Sequence, residues 1–193
     1  MQKTEPFQHG KYYHIYNRGI NNSKLFYEDE NYNYFLKLYN THVSPAVDTF
    51  AYCLMKNHFH LLIRIKEEDQ ILTQPIKPPH QYFSNLFNAY TKAINKKYDR
   101  NSSLFQRTFK RKVIDSEAYL KNVILYINTN PAHHKLAVNY INYKWSSYSE
   151  SISDDFTNLQ KDQVLEWFGD KENFKSSHEN KLNTVDIENY LEL

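Results

Sequence analysis

Met55-Lys56-Asn57-His58-Phe59-His60-Leu61-Leu62-Ile63 is the stretch on which the fold turns. A run closing in apolar and β-branched residues reads as a strand, and a strand projects residues i and i+2 from one face. His58 and His60 therefore point together, while Phe59 points the opposite way into apolar packing. Two imidazoles side by side are half a metal site, because neutral imidazole is the commonest protein metal ligand. At least one more polar ligand has to come from elsewhere in the chain. The competing reading is a chance His-x-His on an ordinary strand.

Immediately upstream, Thr49 to Met55 reads as a strand, and Lys56-Asn57 as the tight turn joining it to a strand from His58 to Lys66, so the two form a hairpin. Tyr12 to Gly19 is aromatic and β-branched and ends in Asn17-Arg18-Gly19, which predicts a first strand and a turn. Between these lies Glu28 to Val43, where Tyr32, Phe35, Leu36 and Tyr39 recur at helical spacing. Downstream, Pro75, Pro78 and Pro79 mark a crossing loop. From His80 to Tyr98 an apolar stripe of Phe83, Leu86, Phe87, Tyr90 and Ile94 predicts a second helix, and Phe105 to Ile114 alternates basic with apolar residues as a fourth strand. The order is that of an α+β, ferredoxin-like βαββαβ sandwich, with an antiparallel sheet and helices on one face.

A third helix follows from Ser116 to Asn130, capped by Asp115-Ser116-Glu117 and stopped by Pro131. Leu120, Val123, Ile124 and Ile127 form its apolar side. Tyr119, Asn122, Tyr126 and Asn130 form a separate stripe roughly 110° round at 100° per residue. The spacing predicts a domain over residues 1–149 and an acidic, partly helical C-terminal extension over 150–193, with short helices at Gln163 to Phe168 and Val185 to Leu193.

Composition narrows the function. No apolar run approaches the ~20 residues that span a bilayer, and the first ten residues have no signal-peptide core; a soluble, cytoplasmic protein is expected, with no membrane partner. The single cysteine, Cys53, forbids an internal disulfide and reads as a small buried apolar residue. The net charge of +2 hides an asymmetry: residues 1–149 carry 20 Lys or Arg against 11 Asp or Glu, and residues 150–193 carry 4 against 11. The cations bunch at Lys92, Lys96, Lys97, Arg100, Arg107, Lys110, Arg111 and Lys112, interleaved with Tyr98, Phe105 and Phe109 and opposed only by Asp99. Such a stretch is either a solvated face or a surface for single-stranded nucleic acid, which binds by base stacking and backbone neutralisation.

Tyr126 and Asn130, four residues apart, lie one above the other on a helix. If that face packs on the histidines, Asn130 supplies an amide oxygen as third ligand and Tyr126 sets its phenol beside the metal. Two nitrogens and one oxygen, with positions left for water or phosphate, suit Mg²⁺ or Mn²⁺ and do not exclude Zn²⁺. The metal would act as a Lewis acid on a phosphate oxygen, and the chemistry implied is phosphoryl transfer through a covalent tyrosine. The bland alternatives are a packing tyrosine with its hydroxyl at the surface, and an asparagine that merely ends a helix before Pro131. The sequence does not decide whether His133 and His134 are solvated or touch phosphate.

The motifs also resemble a known family. Met55-Lys56-Asn57-His58-Phe59-His60-Leu61-Leu62 resembles the His-hydrophobic-His motif of the HUH-type single-tyrosine transposases, and His14-Ile15-Tyr16-Asn17-Arg18-Gly19 resembles their first strand. Leu104-Phe105-Gln106, Tyr126-Ile127-Asn128-Thr129-Asn130-Pro131 and Trp145-Ser146-Ser147-Tyr148 are similar to the branch of REP-associated tyrosine transposases. The resemblance runs from about residue 10 to 170. It implies an endonuclease and strand transferase that cuts single-stranded DNA near a palindromic hairpin with Mg²⁺ or Mn²⁺, with Tyr126 as the nucleophile. His58, His60 and the polar residue one turn after the tyrosine, Asn130, would be the metal ligands. It further implies a monomer or a homodimer that exchanges the tyrosine helix, and DNA contacts from Arg18 and the basic cluster. Two departures bear on DNA contacts: Arg107-Thr108 stands where many members have Gly-Arg, and Ala132-His133-His134-Lys135 follows the Asn-Pro pair. The rival expectations are a host-adopted protein that binds a DNA hairpin without cutting it, and a nuclease that uses water.

Overall fold

The structure, a computed structural model, describes residues 6–71, 73–134 and 139–182. Its centre is an antiparallel sheet of four strands: β1 (Tyr12–Arg18), β2 (Val47–Met55), β3 (His58–Ile65) and β4 (Lys110–Ile114), in the order β2-β3-β1-β4. Helix α1 (Asp29–His42) connects β1 to β2, and α2 (Pro79–Lys97) connects β3 to β4. This is the expected ferredoxin-like plan. The β2–β3 hairpin closes on the pair Met55 and His58, and its turn is pinned because Leu25 and Phe26 both donate their N–H to the Lys56 carbonyl, at 2.7 and 3.1 Å.

One side of the sheet packs on α1 and α2 through an aromatic core. Phe59 is fully buried there, with ring centroids 5.4 Å from Phe35, 5.7 Å from Phe87 and 6.2 Å from Phe105. The other side carries α3 (Glu117–His133), which is in turn covered by α5 (Lys161–Phe168) and α6 (Lys171–Leu182), with the short α4 (Tyr148–Ile152) packed on α5. A second core forms between these layers from Cys53, Leu62, Val123, Ile124, Ile127 and Phe174. Cys53 is a buried apolar residue, as expected, and burial pushes its thiol pKa up.

Several boundaries differ from expectation. The fourth strand is interrupted: Gln106 donates its N–H to the Arg18 carbonyl at 2.9 Å, the chain bulges out at Thr108, which has φ of +63°, and regular pairing resumes only at Lys110. Pro131 does not stop α3. In the last turn a missing N–H forfeits a single helical bond, and the buried proline ring is enclosed with its neighbours. Residues 123–131 are buried without a break, because α5 and α6 cover the side that the wheel left outside. Helix α6 was not foreseen; the expected helix at Val185 to Leu193 lies outside the described residues. Among the described residues no helix is long and apolar enough to cross a membrane.

Candidate active site

Register builds the site. Residues opposite one another in adjacent strands share a face, and β3 pairs with β1 so that His58 faces Arg18, His60 faces Tyr16 and Leu62 faces His14. On the other flank, β1 pairs with β4 so that Tyr16 faces Lys110 and His14 faces Lys112. The α3 side of the sheet thus presents two histidines flanked by His14, Tyr16, Arg18, Lys110 and Lys112.

Helix α3 lies across this surface. The Tyr126 ring is 5.3 Å from His60 and 6.1 Å from His14, centroid to centroid, and two turns further on the His134 ring is 4.9 Å from His58. Asn130 stands midway between them on the same helical stripe, which brings it over the histidine pair. The polar stripe read from the sequence and the His-x-His motif therefore meet within one chain.

Hydrogen bonding fixes the tautomer of His58. Asn57 Oδ1 can only accept, so His58 Nδ1 at 2.7 Å carries the hydrogen, and Nε2 is left with its lone pair. His60 Nδ1 is 2.9 Å from His14 Nε2, an outer partner of the kind that orients a ligating histidine. His58 Nε2, His60 Nε2 and both amide atoms of Asn130 are buried and find no hydrogen-bond partner among the described residues. Each such atom costs about 1–3 kcal/mol when nothing meets it, which makes the cluster the candidate place for a ligand. Burial holds all three histidines neutral. It pushes His14 and His58 down to about 3, helped by Lys112 in the first case and by His134 and Arg18 in the second, and lowers His60 well below its usual value.

A cleft of about 180 Å³ opens beside the pair, lined by Tyr16, Arg18, His58, His60, Gln106 and Lys110 among others. It adjoins a groove of about 560 Å³ between α2 and the 103–111 segment; Asn17 and Gln106 line both. Among the described residues no carboxylate lines either. Tyr126 does not line the cleft, and it is 3% exposed.

The basic candidates divide. Arg18, Lys110 and Lys112 lie on the histidine face, with Lys110 over the Tyr16 ring at 5.8 Å and Lys112 over Tyr119 at 5.6 Å. Arg111 projects to the opposite face, over Phe7 at 4.4 Å, where it lines the groove. Lys97 pairs with Glu28 and Arg100 donates to the Tyr27 hydroxyl at 2.7 Å, so both are tied to the start of α1. Lys92, Lys96 and Arg107 are exposed. Sequence reasoning missed His14 and Asn57 as partners of the pair; β-strand alternation two residues before Tyr16 was the available signal for the first.

A family model described as "Transposase IS200 like" matches residues 7–130, well over half of the chain. The chain belongs to the IS200-like transposase family. Among solved structures, this family member is similar to a REP-associated tyrosine transposase bound to a REP hairpin, with a TM-score of 0.60, 13% identity, and coverage of 83% of this chain and 95% of that one. A bacterial tRNA(His) guanylyltransferase (Thg1)-like protein in complex with ATP has a TM-score of 0.46 and 11% identity over 84% of this chain and 70% of that one. No curated protein matches the chain significantly in sequence.

Proposed function

We propose that this IS200-like protein is a metal-dependent strand transferase that cleaves single-stranded DNA beside a hairpin through a 5′-phosphotyrosine on Tyr126. The observation that carries the reading is the group of partnerless buried atoms on His58, His60 and Asn130, one helical turn from Tyr126. Membership of the family supports the DNA substrate, and the hairpin bound to the REP-associated relative supports its shape.

The donor set fits a divalent ion. No three His, Cys, Asp or Glu side chains gather where they could hold one among the described residues, so the third protein ligand falls to the Asn130 amide oxygen, beside the bare Nε2 atoms of His58 and His60. Two nitrogens, one oxygen and open positions accommodate Mg²⁺ or Mn²⁺. The ion would supply Lewis-acid polarisation of a phosphate oxygen. Arg18 and Lys110, on the cleft wall, pair with phosphate oxygens, and the carboxylate-free groove beyond Gln106 takes the strand leading away.

In the transfer, Tyr126 Oη bonds to phosphorus as the bond from phosphorus to the 3′ oxygen breaks. The phenol releases one proton and the 3′ oxygen takes one up. A later 3′-hydroxyl reverses the sequence and rejoins DNA without a high-energy cofactor. Tyr126 packs on its own chain's His60, which supports a site completed within one chain. Tyr126 is enclosed in this arrangement.

That enclosure also favours a second reading, hairpin binding without cutting. The deciding experiment incubates hairpin oligonucleotides copied from DNA flanking this protein's gene with Mn²⁺ and reads adducts by mass spectrometry. A DNA-peptide link at Tyr126, absent in Tyr126→Phe and in chelator, is expected. Cleavage without an adduct would point to water as nucleophile, and binding without cleavage to the second reading.

A further inference from the structure

Helix α6 is polar apart from Phe174 and its last residue, Leu182, and Phe174 and His178 are fully buried. His178 Nδ1 is 2.7 Å from the Phe174 carbonyl; a carbonyl only accepts, so this nitrogen carries the hydrogen. Nε2 is then an acceptor, 3.1 Å from Asn128 Nδ2 on α3. Asn128 Oδ1 receives the Ser147 hydroxyl at 2.7 Å, and Ser147 Oγ receives the Tyr52 N–H of β2 at 2.9 Å. The chain of bonds joins α6 to α3 and α3 to the sheet. It lies in a dry aromatic box, with ring centroids of Phe174 and Tyr148 at 4.2 and 5.0 Å from His178, and every member is satisfied, the condition under which a buried polar network rigidifies what it joins.

Asn128 stands between Tyr126 and Asn130 in sequence but about 200° round the helix from each at 100° per residue. The bonds therefore hold α3 from its back, while its front bears on the histidines. We infer that His178 is a positioning residue: through Asn128 it sets the rotation and height of α3, and so places Tyr126 and Asn130 over His58 and His60. The inference rests on the reading of Tyr126 as nucleophile. It gives part of the acidic C-terminal extension a role in the reaction without contact with DNA.

The test compares His178→Leu, which removes both bonds, with His178→Gln, whose amide oxygen still accepts from Asn128, in the full-length protein. Single-turnover adduct formation at saturating hairpin DNA with Mn²⁺ is expected to fall roughly ten- to a hundredfold in His178→Leu, the scale of an ångström-sized misplacement. Hairpin affinity should be unchanged, and His178→Gln should recover most of the rate. Val43→Ala, a destabilising change in the other core, should leave the rate alone. The inference is overturned by full activity in His178→Leu, by an equal loss in Val43→Ala, or by a glutamine variant no faster than the leucine one. A wild-type protein that forms no adduct overturns the tyrosine reading and this inference with it.

Discussion

Replacing Asn130 with leucine should make the protein more stable in chelator and deaf to metal. Asn130 is fully buried, and both its amide oxygen and its amide nitrogen lack a partner among the described residues. An unsatisfied buried polar atom costs about 1–3 kcal/mol. Leucine shares asparagine's branched set of four side-chain heavy atoms, with bulkier methyl groups, and has nothing to satisfy, so removing two such atoms gains about 2 kcal/mol at the lower bound before any overpacking is subtracted, or about 4–8 °C in Tm for a chain of this size. With Mn²⁺ the ranking should reverse. Binding at a hundredfold excess over Kd adds about 2.7 kcal/mol to the wild type, and the variant, missing one protein ligand, gains far less. Urea melts followed by tryptophan fluorescence, in EDTA and in Mn²⁺, read both effects. A variant less stable than wild type in EDTA would show that the amide is structurally satisfied and that the reasoning from partnerless atoms is wrong.

Two further outcomes follow from the buried histidines. His14→Phe keeps the apolar volume but strips His60 of its outer partner, and should weaken Mn²⁺ binding roughly 10–100-fold in a calorimetric titration; unchanged affinity would remove His14 from the site. Burial pushes His178 down to about 4, below its unfolded value near ~6.5, so the unfolded chain takes up the proton first. Its contribution is complete above about pH 6.5 and is lost towards pH 4, about 3 kcal/mol in all. The stability of His178→Gln should therefore fall less steeply over that window, and parallel slopes would refute the assignment.

The parts of the fold that could be read in advance are those where one face of an element is dry and the other is not. The alternation at His58-Phe59-His60 and the stripe from Phe83 to Ile94 each declare a single buried side, so the hairpin, the first two helices and the histidine face were legible. Tyr126 and Asn130 could be read as a polar stripe offset from Leu120 and Ile124, but not their burial against the sheet, because both sides of α3 are covered. What escaped depends on a third layer. The back of α3, with Asn128 and Thr129, is covered because α5 and α6 dock there, and α6 declares itself in sequence only by Phe174, His178 and Leu182 at a spacing of four in an otherwise polar segment. The break before β4 escaped because Thr108 adopts a positive φ that its residue type does not announce. Hydrogen-bond partners such as Asn57 and His14 become visible only once register is known.

Phe59 has a consequence for how the chain tolerates change. It sits between His58 and His60 with its ring locked among Phe35, Phe87 and Phe105, and side chains on a strand alternate with a strict period of two. Adding or deleting one residue in the Lys56-Asn57 turn would ask the strand to choose between burying Phe59 and aiming the imidazoles at α3. Keeping the aromatic ring dry decides that choice before any ligand arrives. The turn is therefore a place where length is fixed while the identity of Lys56, which pins the turn through its backbone carbonyl, is not, and a library that varies Lys56 should retain folded, metal-responsive members that a library varying the turn's length would lose.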